Sequence, residues 1–163
     1  MERLHQLLKD EQFKKMMAEI EQKERGRPFC RHGREHLFDV ARIAWILCLE
    51  QGFSCINKEC VYTAAFLHDI GRGIEYDDPA VDHAEAGARV ALHLLLKYGF
   101  YPQEVDAIVE AIKEHRLPPE KCHSFLGRIL AAADDYSRRC FECPARSECY
   151  KFKDIPSAED FLY

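Results

Sequence analysis

The sequence predicts an all-α fold, and three observations support this class. Apolar residues recur at steps of three and four through most of the chain, no segment shows the alternation of a half-buried strand, and the connections between helical segments are short. A length of 163 residues with 47% hydrophobic and 31% charged residues is typical of one domain with one core. We therefore expect a single helical bundle followed by an irregular, cysteine-rich C-terminal tail.

Two long helices are predicted in the N-terminal third of the chain. Apolar residues spaced three and four apart in a charged background predict an amphipathic helix over residues 2 to 24, which Gly26 and Pro28 end. The same periodicity predicts a helix over residues 32 to 50. Gly52 then stands where a C-terminal glycine is favoured.

Two further helices are predicted in the middle of the chain. One spans residues 57 to 68 and is expected to break at Gly71 and Gly73. The other spans residues 81 to 98 and ends before Gly99. Its many alanine, valine and leucine residues predict that it is among the most buried helices.

The last two predicted helices cover residues 102 to 115 and 124 to 138. Pro102 suits the first turn of a helix because its missing N–H has no intrahelical partner there. Residues 140 to 154 show little periodicity, so the sequence predicts an irregular tail.

Composition and charge exclude several classes of protein. The net charge is −5, and the 23 lysines and arginines are scattered among 28 acidic residues, without the basic stripe that binds nucleic acid. The longest apolar run is seven residues, against about 18 for a membrane span. Because the first residues lack the layout of a secretory signal, we expect a cytoplasmic, reduced protein with no membrane or nucleic-acid partner.

Histidine and aspartate form the most informative pattern. The chain has eight histidines, and His68 and Asp69 are adjacent at the end of a predicted helix, so their side chains can approach a metal ion from different sides. Imidazoles with a few carboxylates suit Fe, Mn, Zn, Co or Ni better than Mg or Ca. Six candidate metal ligands lie on or near predicted helix ends: His36, His68, Asp69, His83, His115 and Asp134.

These residues and their surroundings resemble the HD superfamily of metal-dependent phosphohydrolases over about residues 30 to 138. The family signature is a histidine, a histidine-aspartate pair and a distant aspartate, and the matching segments are EHLFDVA, LHDIG and AADDYS. Within the last segment, the match favours Asp134 over Asp135. The resemblance implies an HD-type helical bundle that binds divalent metal.

His83 and His115 are similar to the extra ligands of the dinuclear branch of this superfamily, which includes the symmetric diadenosine-tetraphosphate hydrolases. The resemblance implies two divalent metals, Fe or Mn, with Asp69 as the carboxylate that bridges them. It also implies a phosphohydrolase whose partner is a small phosphate compound, a nucleotide or another phosphoester, attacked by a metal-activated hydroxide.

Basic residues near the candidate ligands are expected to hold the substrate phosphate by charge-assisted hydrogen bonds. Arg72 closely follows the pair formed by His68 and Asp69, and Asp69 and Arg72 are the predicted catalytic residues. For Arg72 and Lys113, a solvated helix face is the alternative. The predicted substrate-binding residues are Arg72, Lys113, Arg116 and His32.

Two other functions are compatible with the same ligands. Some six-ligand HD proteins are mixed-valent diiron oxygenases that cleave carbon–carbon or carbon–phosphorus bonds, and ligand identity alone does not separate them from hydrolases. The third hypothesis is a non-enzymatic module that senses metal or redox state and binds a regulatory nucleotide. This module would bind its ligand without turnover.

Cysteines form a second pattern, in the tail. Cys140, Cys143 and Cys149 stand in a C-x2-C-x5-C arrangement, which supplies three of the four ligands of a thiolate metal site. Cys122 or Cys30 would supply the fourth, and zinc or an iron–sulfur cluster would suit such a site. The alternative is a set of reduced thiols or a labile disulfide.

The remaining cysteines, Cys48, Cys55 and Cys60, are predicted to be small buried apolar residues.

The sequence as a whole divides into three parts. These are an N-terminal helix over residues 1–26, an HD-type metal-binding helical domain over residues 27–139, and a Cys-rich tail over residues 140–163 that packs on the domain.

Overall fold

A computed structural model describes residues 1–52 and 56–149, and within these ranges the chain is helical with no strand. The predicted all-α class is confirmed. Three 3-10 turns cover Pro119–Lys121, Cys140–Glu142 and Arg146–Glu148. The helices are α1 (Glu2–Leu7), α2 (Glu11–Lys23), α3 (Arg34–Glu50), α4 (Lys58–Leu67), α5 (Arg72–Asp77), α6 (His83–Lys97), α7 (Pro102–Glu114) and α8 (Phe125–Tyr136).

The helix predicted over residues 2 to 24 is two helices, α1 and α2, and Asp10 separates them. Its carboxylate accepts hydrogen bonds from the backbone N–H groups of Gln12 at 2.7 Å and Phe13 at 3.1 Å, so that it caps the start of α2. The same carboxylate accepts from Lys97 Nζ at 2.6 Å. The apolar spacing continues across the break, so periodicity alone cannot reveal this cap.

Helix α5 lies where the two glycines predicted an interruption. Gly71 precedes it and Gly73 is buried inside it, with the Gly73 carbonyl accepting a hydrogen bond from Lys23 Nζ at 2.9 Å. A Cβ on Gly71 would lie 2.2 Å from the His83 carbonyl oxygen and 2.5 Å from the Gly87 nitrogen. Glycine is therefore required at position 71 for close backbone approach. The predicted interruption is present, since α4 ends at Leu67, but the chain then forms the short helix α5.

The N-terminal helices share one core with the rest of the chain. Leu4, Leu7, Phe13, Met17 and Ile20 are buried in the same hydrophobic cluster as side chains of α3, α4, α6, α7 and α8. Each such side chain stabilises the fold by about 2 kcal/mol when it leaves water. The first 26 residues therefore contribute directly to the core of the bundle.

The predicted burial of Cys48 and Cys60 is confirmed, and Cys55 lies outside the described residues. The part of the tail beyond residue 149 also lies outside them. In the two described ranges, no helix is both long enough and apolar enough to cross a bilayer.

A buried carboxylate joins the end of α7 to the start of α8. Glu114 accepts hydrogen bonds from the backbone N–H of His123 at 2.7 Å and from the N–H and hydroxyl of Ser124 at 3.0 and 2.6 Å. Ser124 in turn caps α8 through the Gly127 N–H. These bonds fix two helices that carry candidate ligands relative to each other.

Candidate metal centre

The fold brings all six candidate ligands together, and we call this group the His/Asp centre. Each member is at most 8% exposed. The members come from five places in the bundle: the first turn of α3, the residues directly after α4, the start of α6, the residue after α7 and the last turn of α8. In that order they are His36, His68 with Asp69, His83, His115 and Asp134.

Asp69 lies in the middle of the centre, and its two carboxylate oxygens face different histidines. Asp69 Oδ2 lies 3.1 Å from His68 Nε2 and 3.5 Å from His36 Nε2. Asp134 Oδ1 lies 3.1 Å from the same His36 Nε2. His36, His68, Asp69 and Asp134 form the first group, whose ligand atoms all lie within 4.8 Å of one another.

The other carboxylate oxygen of Asp69 faces a second group, formed with His83 and His115. Asp69 Oδ1 lies 3.5 Å from His83 Nε2 and 3.7 Å from His115 Nε2. The ligand atoms of this group also lie within 4.8 Å of one another. Asp69 belongs to both groups, so that a metal ion in either group would meet one of its carboxylate oxygens.

Two of the four imidazoles are oriented by backbone carbonyls. His68 Nδ1 donates to the Ala65 carbonyl at 2.7 Å, and His115 Nδ1 donates to the Ile112 carbonyl at 2.6 Å. A carbonyl can only accept, so the proton of each neutral ring is on Nδ1. The lone pair of Nε2 therefore faces the centre and is free to bind a metal ion.

The other two imidazoles are oriented by side chains. His83 Nδ1 donates to Glu75 Oε2 at 2.8 Å. His36 Nδ1 lies 3.1 Å from Ser137 Oγ, and this hydroxyl donates its own proton to the Asp134 carbonyl at 2.7 Å, so it accepts from His36. In its neutral form, each of the four histidines therefore presents the lone pair of its Nε2 to the centre.

Two observations indicate that a cation fits among these ligands. His68 Nε2 and Asp69 Oδ2 are buried without a hydrogen-bond partner, which costs about 1–3 kcal/mol for each unsatisfied group. The Nε2 atoms of His83 and His115 face each other at 3.3 Å although both carry lone pairs. A metal ion would satisfy the first two atoms and relieve the repulsion between the last two.

The electrostatics of the centre also favour positive charge at its middle. Burial lowers the pKa of His68, but the carboxylates of Asp69 and Asp134 outweigh this and raise it to about 10. Burial alone would raise the pKa of Asp69, whereas His68 and Arg72 hold it well below its ordinary value. A proton and a metal ion compete for the same Nε2, so the carboxylates that attract the proton also attract the metal.

Two arginines border the centre, one of them predicted and one not. Arg72 Nε donates to Asp69 Oδ1 at 2.7 Å, which places this residue beside the second group. Arg138 Nη2 donates to Asp134 Oδ1, and the same atom lies 3.3 Å from His36 Nε2. Arg138 was not predicted from the sequence, although it stands four residues after Asp134 near the end of α8, where the two side chains meet.

The other predicted substrate-binding residues lie at different distances from the centre. The buried ring of His32 contacts that of His36 edge-on, with ring centroids 5.6 Å apart. Burial lowers the pKa of His32 to about 4, and its Nδ1 bonds to the Glu24 carboxylate. Arg116 binds Asp82 at 2.7 Å at the edge of the site. The side chain of Lys113 is exposed on α7.

The cysteines predicted as a second metal site lie beside the centre. Cys30, Cys140, Cys143 and Cys149 line a cavity of about 730 Å³, which we call the cysteine cavity, and His36 and Arg138 line it as well. Cys122 is not among its lining residues. Its Sγ lies 3.6 Å from the Glu114 carbonyl oxygen, between α7 and the first 3-10 turn. Of the two candidates for a fourth cysteine, the fold places Cys30 next to the tail.

The fold and this centre together define a class of protein, a helical domain with a buried His/Asp cluster suited to divalent metal. Comparison with protein families makes the class specific, since residues 33–139 match the HD domain. The chain belongs to the HD domain family.

Relatives and a solved structure agree with this membership. An uncharacterized protein of Clostridium beijerinckii is 32% identical over 149 residues, which cover 91% of this chain and 92% of that protein. Ribonuclease Y of Symbiobacterium thermophilum is 33% identical over 105 residues, 63% of this chain but 17% of that protein. A predicted HD superfamily hydrolase from an uncultured Thermotogales bacterium has a crystal structure that matches with a TM-score of 0.58 and 29% identity, over 76% of this chain and 66% of that chain.

Replacing Glu75 by alanine is expected to weaken metal binding by the second group. Without the Glu75 carboxylate, Nδ1 of His83 loses the acceptor that fixes its tautomer and ring orientation. Acceptors behind ligating histidines typically contribute about 10- to 100-fold in metal affinity. Calorimetric titration with Mn²⁺ measures the change. Glu85→Ala, at an exposed position in the first turn of α6, is the control and should bind like the wild type. Unchanged affinity in Glu75→Ala would contradict the assigned role.

Proposed function

We propose that the protein is a metal-dependent phosphohydrolase that acts on a nucleotide or another small phosphoester. One observation carries the proposal: the two carboxylate oxygens of Asp69 each face a pair of histidine Nε2 atoms, within two groups of ligands that share Asp69. We propose that these six residues hold two divalent ions, Fe or Mn. The HD domain and the structural similarity to a predicted HD superfamily hydrolase support the same reaction class.

The arginines beside the centre are suited to bind the phosphate. When bound, two divalent ions would lower the pKa of a water molecule and neutralise charge on the phosphoryl oxygens. Arg72 and Arg138 already hydrogen-bond to carboxylates of the centre, one on each group, so their guanidinium groups lie where phosphate oxygens would arrive. Both remain charged at neutral pH.

The His/Asp centre and its two arginines support a small phosphoester as the substrate class, because both guanidinium groups are donors to phosphate oxygens. We propose bis-nucleotides such as diadenosine tetraphosphate as the first substrates to assay.

Two histidine variants test the proposal. His36→Gln and His83→Gln each remove one ligand, from the first and the second group respectively. The wild type is expected to bind about two Mn²⁺ per chain and to hydrolyse members of a phosphoester panel. Each variant should bind about one Mn²⁺ and lose at least about 100-fold in kcat. His93→Gln, at an exposed position on the same helix as His83, is the matched control and should behave as the wild type.

The same experiment separates the competing functions. Turnover of phosphoesters without oxygen supports the hydrolase. Oxygen-dependent consumption of an organophosphonate or a polyol, with no hydrolysis, would identify the oxygenase instead. Nucleotide binding without turnover in either assay would identify the sensing module. Full activity in His36→Gln or His83→Gln would overturn the assigned ligands.

A further inference from the structure

Four cysteines from two distant segments line the cysteine cavity. Cys30 precedes α3, whereas Cys140, Cys143 and Cys149 follow α8. All four are free thiols. The fold thus places Cys30 beside the three cysteines of the tail, so that four thiols line one cavity.

Backbone hydrogen bonds of two 3-10 turns fix the positions of the three cysteines of the tail. Cys140 begins the second 3-10 turn, and Cys143 ends it by donating its N–H to the Cys140 carbonyl at 3.4 Å. Cys149 ends the third turn in the same way, through the Arg146 carbonyl at 3.2 Å. These two short turns bring all three cysteines to the wall of the same cavity.

The surroundings of the cavity suit a negatively charged group. Five arginines and three carboxylates line it. One of these arginines, Arg138, is 10% exposed, and its Nη1 is buried without a hydrogen-bond partner while its Nη2 binds Asp134. The sulfur of a thiolate or a sulfide would accept a hydrogen bond from such a donor.

The spacing of the sulfur atoms favours a cluster over a single ion. In a tetrahedral zinc site, sulfurs about 2.3 Å from the ion lie about 3.8 Å from one another. In the part of the chain that the structure describes, no three cysteine sulfurs lie within 4.8 Å of one another. In a [4Fe–4S] cluster each cysteine binds a different iron, so the four sulfurs surround a volume that the cluster fills.

From these observations we infer that Cys30, Cys140, Cys143 and Cys149 bind a [4Fe–4S] cluster. Each thiol loses its proton when it binds iron, and the arginines around the cavity compensate the resulting negative charge. The cluster lies beside Arg138, which also contacts Asp134 of the His/Asp centre. Cys122, the other candidate for the fourth ligand, takes no part.

Acid-labile sulfide tests this inference without interference from metal in the His/Asp centre, which contains no sulfur ligand. The full chain is purified without oxygen, and a second sample is reconstituted with ferrous iron and sulfide. The wild type is expected to hold about four sulfides per chain and to show the visible absorption of a cluster. Cys30→Ser should retain less than about one sulfide per chain. Cys122→Ser is the matched control and should retain the wild-type content.

Circular dichroism and Mn²⁺ binding show whether each variant keeps its fold and its His/Asp centre. A full cluster in Cys30→Ser, or its loss in Cys122→Ser, would overturn the assignment of the fourth ligand. About one zinc per chain with no sulfide would overturn the cluster. Loss of sulfide in Cys30→Ser with intact Mn²⁺ binding supports the inference, and this outcome is independent of the proposed phosphohydrolase activity.

Discussion

Replacing Asp69 by asparagine is expected to abolish metal binding by both ligand groups and to lower the proposed phosphohydrolase activity by at least about a thousandfold. Both oxygens of this buried carboxylate are used, Oδ2 toward His36 and His68 and Oδ1 toward His83 and His115. Asparagine keeps the shape of the side chain but replaces one oxygen with an NH₂ group. This group is a hydrogen-bond donor and cannot bind a cation. Its neutral amide also removes the charge that binds the metals.

Metal content and activity are the two measurements for this variant. Mn²⁺ per chain should fall from about two to well below one, since the two groups share Asp69. Asp106→Asn changes an exposed carboxylate of α7 and serves as the control, with wild-type metal content and activity. An Asp69→Asn protein that retains two ions and full turnover would show that the centre is not the catalytic site.

The second large effect is expected at Gly71, which binds no metal. A Cβ at this position would lie 2.2 Å from the backbone oxygen of His83 and 2.5 Å from the backbone nitrogen of Gly87, and neither atom can move without moving α6. Gly71→Ala is therefore expected to destabilise the fold by about 3 kcal/mol, about 10 °C in Tm. The displaced helix carries His83, so Mn²⁺ binding by the second group should also weaken.

Thermal unfolding and Mn²⁺ titration measure the two consequences. Gly26→Ala is the matched control, because a Cβ there would meet nothing within 4 Å, and its Tm should stay within about 2 °C of the wild type. If Gly71→Ala unfolds at the wild-type temperature, the close approach between α5 and α6 does not constrain the fold.

The sequence was sufficient to predict the helical class and to name six residues that the fold brings together. Family motifs include both the identity and the order of these residues, so no knowledge of packing is needed to find them. Arg138 and Glu75 were missed for a different reason. Each acts through its contacts with the ligands, which only the fold reveals. Glu75 also lies on α5, a short helix that the sequence did not predict because of the glycines beside it.

The fourth cysteine shows another limit of sequence patterns. Local spacing groups the three cysteines of the tail, but it carries no information about which distant cysteine lies next to them. Cys122 is closer in sequence, whereas the fold places Cys30 at the same cavity because the segment before α3 lies beside the end of α8. Asp10 is a similar case, since its role as a cap is visible only when the turn it closes is known.

The backbone bonds of His68 and His115 have a consequence for how this centre can vary. Each ring is held by a carbonyl three residues earlier in the chain, and no substitution of a side chain removes a carbonyl. His68 belongs to the first group and His115 to the second. Each group therefore has one ligand whose hydrogen-bond acceptor is kept when the side chain of the accepting residue is replaced. The partners of His36 and His83 are the side chains of residues 137 and 75, which are free to change. Variation at these two positions would change the metal affinity of each group separately, while the two ligands held by backbone carbonyls preserve the centre.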